Sequence, residues 1–383
     1  MKIISVETFL VPPRWLFVKI CTDEGVIGWG EPVVEGRAHT VKTMIDELTP
    51  LLVGSDPLRI EDTWQMLWRS GFYRGGAILA SAVAGIDQAL WDIAGKVYGT
   101  PVYNLLGGPV REQVRSYSWV EGDSLGELHD HIVEQMERGF DAVKLVASGS
   151  MTAIATPAMI DTVVARAQCA RDALGPARDF AMDFHGRVTP ANSKRLLSLL
   201  DETRPLFIEE PTVPELAAGH LRDLVTSTTT PLAMGERQFS RWEFRPLLDA
   251  GLAVVQPDIS HAGGISETRR IAALAEGYGA TIAPHCPLGP IALAASLQVD
   301  FAAPNFLIQE QSGGMTYNDG EWGLLDYLVD TSVLTPRAGH LDRPLGPGLG
   351  IEIDEAAVRR ASEIGHDWHP PIWRHADGSL AEW

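Results

Sequence analysis

The chain has 383 residues, 45% of them hydrophobic and 21% charged, and a formal net charge of -19. That length suits two domains or one large barrel with additions, and the composition is that of a globular chain able to bury a sizeable core. The acidic balance excludes nucleic-acid binding through phosphates, which needs a basic surface. An anionic small molecule stays admissible, because a bound metal ion inverts the local field. Cys21, Cys169 and Cys286 make an odd set without CxxC spacing, so neither a disulfide framework nor a thiolate zinc site is expected, and a reducing cytoplasm is the expected location. The opening MKIISVETFLVPPRW has too short an apolar run for a signal peptide or a membrane span, and no stretch elsewhere reads as a bilayer-crossing segment.

Along the chain, Met1–Val11 and Trp15–Thr22 alternate like strands. Asp23-Glu24-Gly25 is a hairpin signal, and Val26–Trp29 is the expected returning strand. Helical patterns follow at Thr40–Leu52, Ile60–Ser70 and Ile78–Lys96. Residues 1–112 therefore read as an α+β unit of meander plus helices.

From about Val114 short apolar runs alternate with amphipathic helices. The runs are Val114–Ser118, Ala142–Val146, Phe180–Phe184, Leu206–Ile208, Leu232–Met234, Ala253–Gln256, Thr281–Ala283 and Asn305–Gln309. Thr189-Pro190 predicts an N-cap and N1 proline for a helix over Ala191–Leu200. Ser240 is the expected cap of Arg241–Ala250, with Gly251 just past its end, and Gly279 closes Ile265–Tyr278. Eight strands with helices between them predict a (β/α)-type barrel over 113–330 and exclude an open doubly wound sheet. Gly346-Pro-Gly-Leu-Gly350 reads as a turn. Residues 331–383, rich in Pro, Gly and Trp, are expected to return and complete the first domain.

Active sites of such barrels lie at the C-terminal ends of the strands. Here those ends carry Asp183-Phe-His185, Glu209-Glu210, Gly235-Glu236-Arg237, Pro257-Asp258, Pro284-His285 and Gln309-Glu310. So many acids at one mouth repel one another unless a cation neutralises them. Asp183, Glu209 and Glu236 sit on adjacent strands as hard oxygen donors, which favours magnesium over zinc or copper. Glu209 is preferred to Glu210 because strand neighbours face opposite ways. His185 follows Asp183 by two residues and is expected beside the metal. Asp258 and His285 end neighbouring strands, and an aspartate fixes the tautomer of an imidazole base. Cys286 reads as packing rather than nucleophile, and His129-Asp130-His131 as helix surface, since residues two apart do not share a helix face.

These signatures, with Ile208-Glu-Glu-Pro211 and Gln256-Pro-Asp258, resemble the enolase superfamily in its mandelate-racemase-like group, from end to end. Longer strings are similar to the bacterial D-galactonate dehydratases of that group: Pro12-Pro-Arg-Trp15, Gly71-Phe-Tyr-Arg-Gly-Gly76, Asp183-Phe-His-Gly-Arg187, Ser260-His-Ala-Gly-Gly264, Ala283-Pro-His-Cys-Pro-Leu-Gly-Pro290 and the tail Trp373–Trp383.

The resemblance implies a modified (β/α)7β TIM-like barrel with an N-terminal α+β capping domain completed by the C-terminal segment, as a homo-oligomer acting on a sugar acid. It implies Mg2+ on Asp183, Glu209 and Glu236. His285, backed by Asp258, would remove the proton α to the carboxylate, and His185 would protonate the departing 3-hydroxyl. Glu310 would sit near the substrate carboxylate. Loops at Arg14-Trp15 and Phe72-Tyr73-Arg74 would close the mouth and read the distal hydroxyls. The Lys-x-Lys of racemases appears here as Lys144-Leu-Val146, which favours dehydration. Val146 stands where a polar amide is expected, so gluconate, mannonate or fuconate stay open as substrates, as does racemase or epimerase chemistry. Lys144 reads equally as a substrate or metal-ligand contact or as a solvated strand end.

Overall fold

The computed structural model describes residues 1–313, 315 and 322–382. An antiparallel meander of β1 (Ile3–Val11), β2 (Trp15–Thr22) and β3 (Ile27–Gly30) opens the chain. The third strand starts one residue later than Val26. The turn closes earlier, with Gly25 at φ +80 and the Thr22 N–H donating to the Val26 carbonyl. Four helices follow: α1 (Ala38–Leu52), α2 (Ile60–Arg69), α3 (Ala77–Val97) and the short α4 (Val102–Leu105). Helix α3 lies directly on β3. A Cβ on Gly28 would stand 2.0 Å from the Ala89 carbonyl oxygen, and one on Gly30 2.0 Å from that of Gly85. Alternate strand residues thus meet helix residues four apart, as the two periodicities require. Against expectation, α3 is long and apolar enough by composition to cross a bilayer, but 78% of that stretch is buried inside the protein. It is the core helix of the capping domain.

The barrel comprises β5 (Ser118–Val120), α5 (Leu125–Glu137), β6 (Ala142–Val146), α6 (Pro157–Leu174), β7 (Asp179–Asp183), α7 (Pro190–Leu200), β8 (Ile208–Glu209) and α8 (Pro214–Val225). It continues through β9 (Leu232–Met234), α9 (Arg241–Asp249), β10 (Val254–Val255), α10 (Gly264–Gly277), β11 (Thr281–Ile282) and α11 (Pro290–Ala302). Strands β5 to β11 pair in parallel in chain order. Residues 305–309 supply the eighth stave, bridging Ile282 through Phe306 and Ser116 through Gln309. The ring is a modified (β/α)7β barrel.

Two local expectations change. The first stave is Ser118–Val120, not Val114–Ser118. Gln113–Arg115 (β4) pairs antiparallel with β12 (His340–Asp342) instead, Val114 opposite Leu341. Ser240 accepts no N–H from α9. Its hydroxyl donates to Glu243, and Glu267 accepts the Arg241 N–H at 2.9 Å. Thr189 does cap α7, accepting the Asn192 N–H ahead of Pro190. From the C-terminal segment, α12 (Glu355–Ile364) packs on β1, with Glu355 2.7 Å from Lys19 and Arg359 3.0 Å from Glu7.

One buried residue from each stave fills the barrel interior: Tyr117, Ala142, Ala181, Phe207, Ala233, Val254, Ala283 and Ile308. Small residues dominate, and Tyr117 and Phe207 fill the remaining width. This layer is the floor of the site.

Candidate active site

Side chains on a strand repeat every two residues, so the layer above the floor is read two positions on. It holds Trp119, Lys144, Asp183, Glu209, Gly235, Gln256, His285 and Glu310. Gly235 has no room for a side chain, since a Cβ would stand 2.7 Å from the Gln256 backbone. The acid at that stave is therefore the next residue, Glu236. His185 reaches the same mouth by another route. It lies past the end of β7 with φ +50, a sparsely populated conformation for a non-glycine residue that costs of order 1–3 kcal/mol. Asp183 offsets that strain by accepting the His185 N–H at 2.7 Å.

Asp183 and Glu209 stand side by side in the β7–β8 register, and both are buried. Lys144 is fully buried, so it is no solvated strand end. Its Nζ lies 2.6 Å from Glu209 Oε1 and 2.9 Å from Glu310 Oε1, over the Trp119 ring at 4.6 Å. Burial opposes the lysine charge, but Glu209 and Glu310 outweigh it and hold Lys144 well above its ordinary pKa. For Glu310, burial is outweighed by Lys144 and His285, and its carboxyl sits below the usual range. It also accepts N–H groups from Trp119 at 2.6 Å and Cys286 at 2.9 Å. Glu209 is pushed well up by burial, against Lys144 and with the added charge of Asp183, Glu310 and Glu236. One lysine cannot neutralise so many acids.

Asp183 feels burial first, yet the His185 imidazole outweighs it and its carboxyl stays low. Glu236 lies 3.3 Å from His285 Nε2 and 3.4 Å from Arg237 Nε. Each carboxylate of the expected triad thus turns toward a basic side chain. The donor set still fits a hard divalent cation. It is all oxygen, Asp183 Oδ2 is buried with His185 Nε2 3.0 Å away, and the negative charge crowding Glu209 is what a cation reverses. Glu210 faces elsewhere, at φ +42, accepting from Gly235 N–H at 3.1 Å and Arg237 Nη2 at 2.8 Å.

His285 Nδ1 is 2.8 Å from Asp258 Oδ2, and Asp258 Oδ1 accepts the Ser260 and His261 N–H groups. Burial lowers the His285 pKa, but Glu310, Asp258 and Glu236 outweigh it and raise it to about 10. The Cys286 thiol is buried and its pKa is pushed well up by that burial, so it is no ready nucleophile.

Two contributors, His261 and Glu35, had no expected role, and Arg237 was expected only as part of a strand end. His261 Nε2 is 3.3 Å from Glu35 Oε2, whose other oxygen is 3.9 Å from Arg14 Nη2. Arg237 also donates to the His185 carbonyl at 3.2 Å. His261 stands inside the string Ser260–Gly264, but no spacing links it to Glu35, more than 200 positions away. The capping domain holds both loops of the dyad. Gln88 donates to the Ile259 carbonyl at 3.2 Å, and buried Glu31 accepts the Gly289 and Ala292 N–H groups at the start of α11.

Glu35, His185, Glu236, Arg237, His261 and His285 border a cavity of about 530 Å³ that also touches Arg14, Trp119 and Val146. Trp15, expected there, is instead in the core against Phe17 and Tyr327. Strand β2 is covered on both faces, and its first side chain falls inward. Tyr73 and Arg74 do not border the cavity either. Phe72 and Tyr73 are 92% and 89% exposed, and Gly75 and Gly76, both at positive φ, carry their loop outward. His129 and His131 lie on α5, exposed as expected, with His131 Nδ1 on the Glu121 carbonyl.

Fold and site together define a capped-barrel enzyme with carboxylates and histidines gathered at the mouth of its barrel. Residues 4–107 match the mandelate racemase / muconate lactonizing enzyme N-terminal domain, and residues 127–357 match the enolase C-terminal domain-like family. The chain belongs to the mandelate racemase / muconate lactonizing enzyme family of the enolase superfamily. It is 52% identical to a D-galactonate dehydratase of Variovorax paradoxus and 53% identical to one of Ralstonia nicotianae, each over 100% of both chains. Among solved structures it is similar to an enolase from Agrobacterium radiobacter with Na and L-malate bound, at 32% identity, TM-score 0.91 and 100% of both chains.

Proposed function

We propose that the chain is a magnesium-dependent D-galactonate dehydratase forming 2-dehydro-3-deoxy-D-galactonate and water. The observation that carries this reading is full-length identity of 52% to a curated enzyme of that name, joined to an aspartate-backed histidine at 2.8 Å. Asp183, Glu209 and Glu236 would hold Mg2+, which when bound supplies positive charge against the negative charge that develops on the substrate carboxylate.

The residues of the chain do the rest. Asp258 accepts the His285 Nδ1–H and so turns Nε2 toward the proton α to the carboxylate; with a cation on Glu236 the charge that raises the ring's pKa would fall, and Nε2 would carry the lone pair a base needs. The electron pair of that C–H bond moves into the carboxylate to give an enediolate. Its collapse breaks the C3–O bond, His185 gives the leaving hydroxyl a proton, and the enol so formed becomes the 2-keto acid. General base and general acid each contribute roughly 10²–10⁴ in rate. Arg14 and Glu35, reaching in from the capping domain, border the same cavity and would meet the distal hydroxyls. Val146, apolar and bordering the cavity, favours a second reading in which another aldonate is the better substrate.

Turnover of a panel of acid sugars with Mg2+, read as 2-keto-3-deoxy product, tests both. The highest kcat/KM is expected on D-galactonate, with loss on chelation and recovery on adding Mg2+. Failure to dehydrate any aldonate while Mg2+ is bound overturns the dehydratase reading.

A further inference from the structure

Among the described residues, three metal-capable side chains bring their ligand atoms together at one place. One ligand atom from each of Asp258, His261 and His285 lies within 4.8 Å of the other two. Asp258 Oδ2 is 2.8 Å from His285 Nδ1 and 3.8 Å from His261 Nδ1. The other Asp258 oxygen is held by two backbone N–H groups, so Oδ2 is turned to the rings. The aspartate is fully buried, and the two imidazoles are nearly so.

Each ring also has a carboxylate at its far nitrogen. Glu35 Oε2 stands 3.3 Å from His261 Nε2, and Glu236 Oε2 stands 3.3 Å from His285 Nε2. A carboxylate behind an imidazole fixes the tautomer and the ring orientation of a metal-binding histidine. Two nitrogens and one oxygen, with water available from the cavity, suit zinc and similar transition metals. Magnesium prefers oxygen throughout.

We propose that Asp258, His261 and His285 form a second, inhibitory site for zinc or a like transition-metal ion, separate from the magnesium carboxylates. The ion takes the Nδ1 lone pair of each ring and displaces the proton that His285 Nδ1 shares with Asp258. The single proton of the neutral His285 ring thereby moves from Nδ1 to Nε2, so no lone pair faces the substrate and the ring cannot act as a base. Asp183 and Glu209 take no part with this ion and stay with magnesium, and Glu236 backs the His285 ring without ligating the second ion.

The test is calorimetric titration of Zn2+ into the full-length protein saturated with Mg2+, with Co2+ absorption as a second probe. The expected result is one further ion bound while Mg2+ is retained. Turnover should fall by at least roughly tenfold, with no relief from added Mg2+. His261→Ala and the better volume match His261→Gln, checked for folding by circular dichroism, should weaken that binding by at least roughly 10–100-fold. Glu35→Gln should weaken it less. Zinc uptake that magnesium competes away, or unchanged affinity in the His261 variants, overturns the proposal. Binding is read without substrate, so failure here is distinct from failure of the dehydratase reading.

Discussion

Lys144 reaches from the second barrel stave to Glu209 on the fourth, 2.6 Å away and wholly out of water. Removing one member of such a pair leaves the other charge buried without a partner, at about 3–5 kcal/mol. Lys144→Met should therefore lower stability by that order in urea unfolding. Added Mg2+ should recover part of the loss, because a cation then stands among the same carboxylates. A Lys144→Met protein as stable as the wild type would mean that Glu209 is neutral in the fold.

The two histidines should separate by isotope exchange. His185→Asn is expected to cut dehydration by roughly 10²–10⁴-fold while the substrate α-proton still exchanges with deuterated water. His285→Asn should lose both. Exchange lost in His185→Asn and kept in His285→Asn would reverse the two roles.

His366 donates from Nε2 to the Trp15 carbonyl at 3.0 Å. Burial lowers its pKa, against the pull of that carbonyl. The folded ring thus binds a proton less readily than the unfolded one, which titrates near about 6.5. As pH falls through that value the unfolded state gains the proton first, so the stability that His366 confers is full above it and is lost below. The gap in urea midpoint between wild type and His366→Gln should narrow from about pH 8 to about pH 5.5. A gap that widens on acidification would contradict the assignment.

Gly30 meets α3 backbone to backbone, so a side chain there has nothing flexible to displace. Gly30→Ala should cost at least about 1–3 kcal/mol, the range for overpacking, seen as a lower melting temperature. Gly25→Ala offers a comparison in which no neighbour is struck and the penalty comes only from its positive φ.

Much of the barrel was legible because strand ends and helix caps carry local signals. Asp183, Glu209, His285 and Glu310 follow the floor residues at the strand period, and Thr189 caps its helix by a bond three residues long. Trp15 was misplaced because a strand covered on both faces shows no alternation to tell inside from mouth. The first stave slid because Val114 to Ser118 spans two different pairings, one of them to Leu341 far along the chain. Lys144 could not be read as buried without knowing that the barrel interior closes around it. His261 and Glu35 meet only through the docking of two domains, and no local pattern encodes that contact.

Two arginines beside the site are held by tryptophans from the C-terminal segment. Arg14 lies 4.9 Å from the Trp368 ring, and Arg187, two residues past His185, lies 4.4 Å from the Trp373 ring. A ribosome that has finished the barrel has still to deliver Trp368 and Trp373. Chains lacking Trp368 and Trp373 carry every acid and base yet lose the rings against which Arg14 and Arg187 are held.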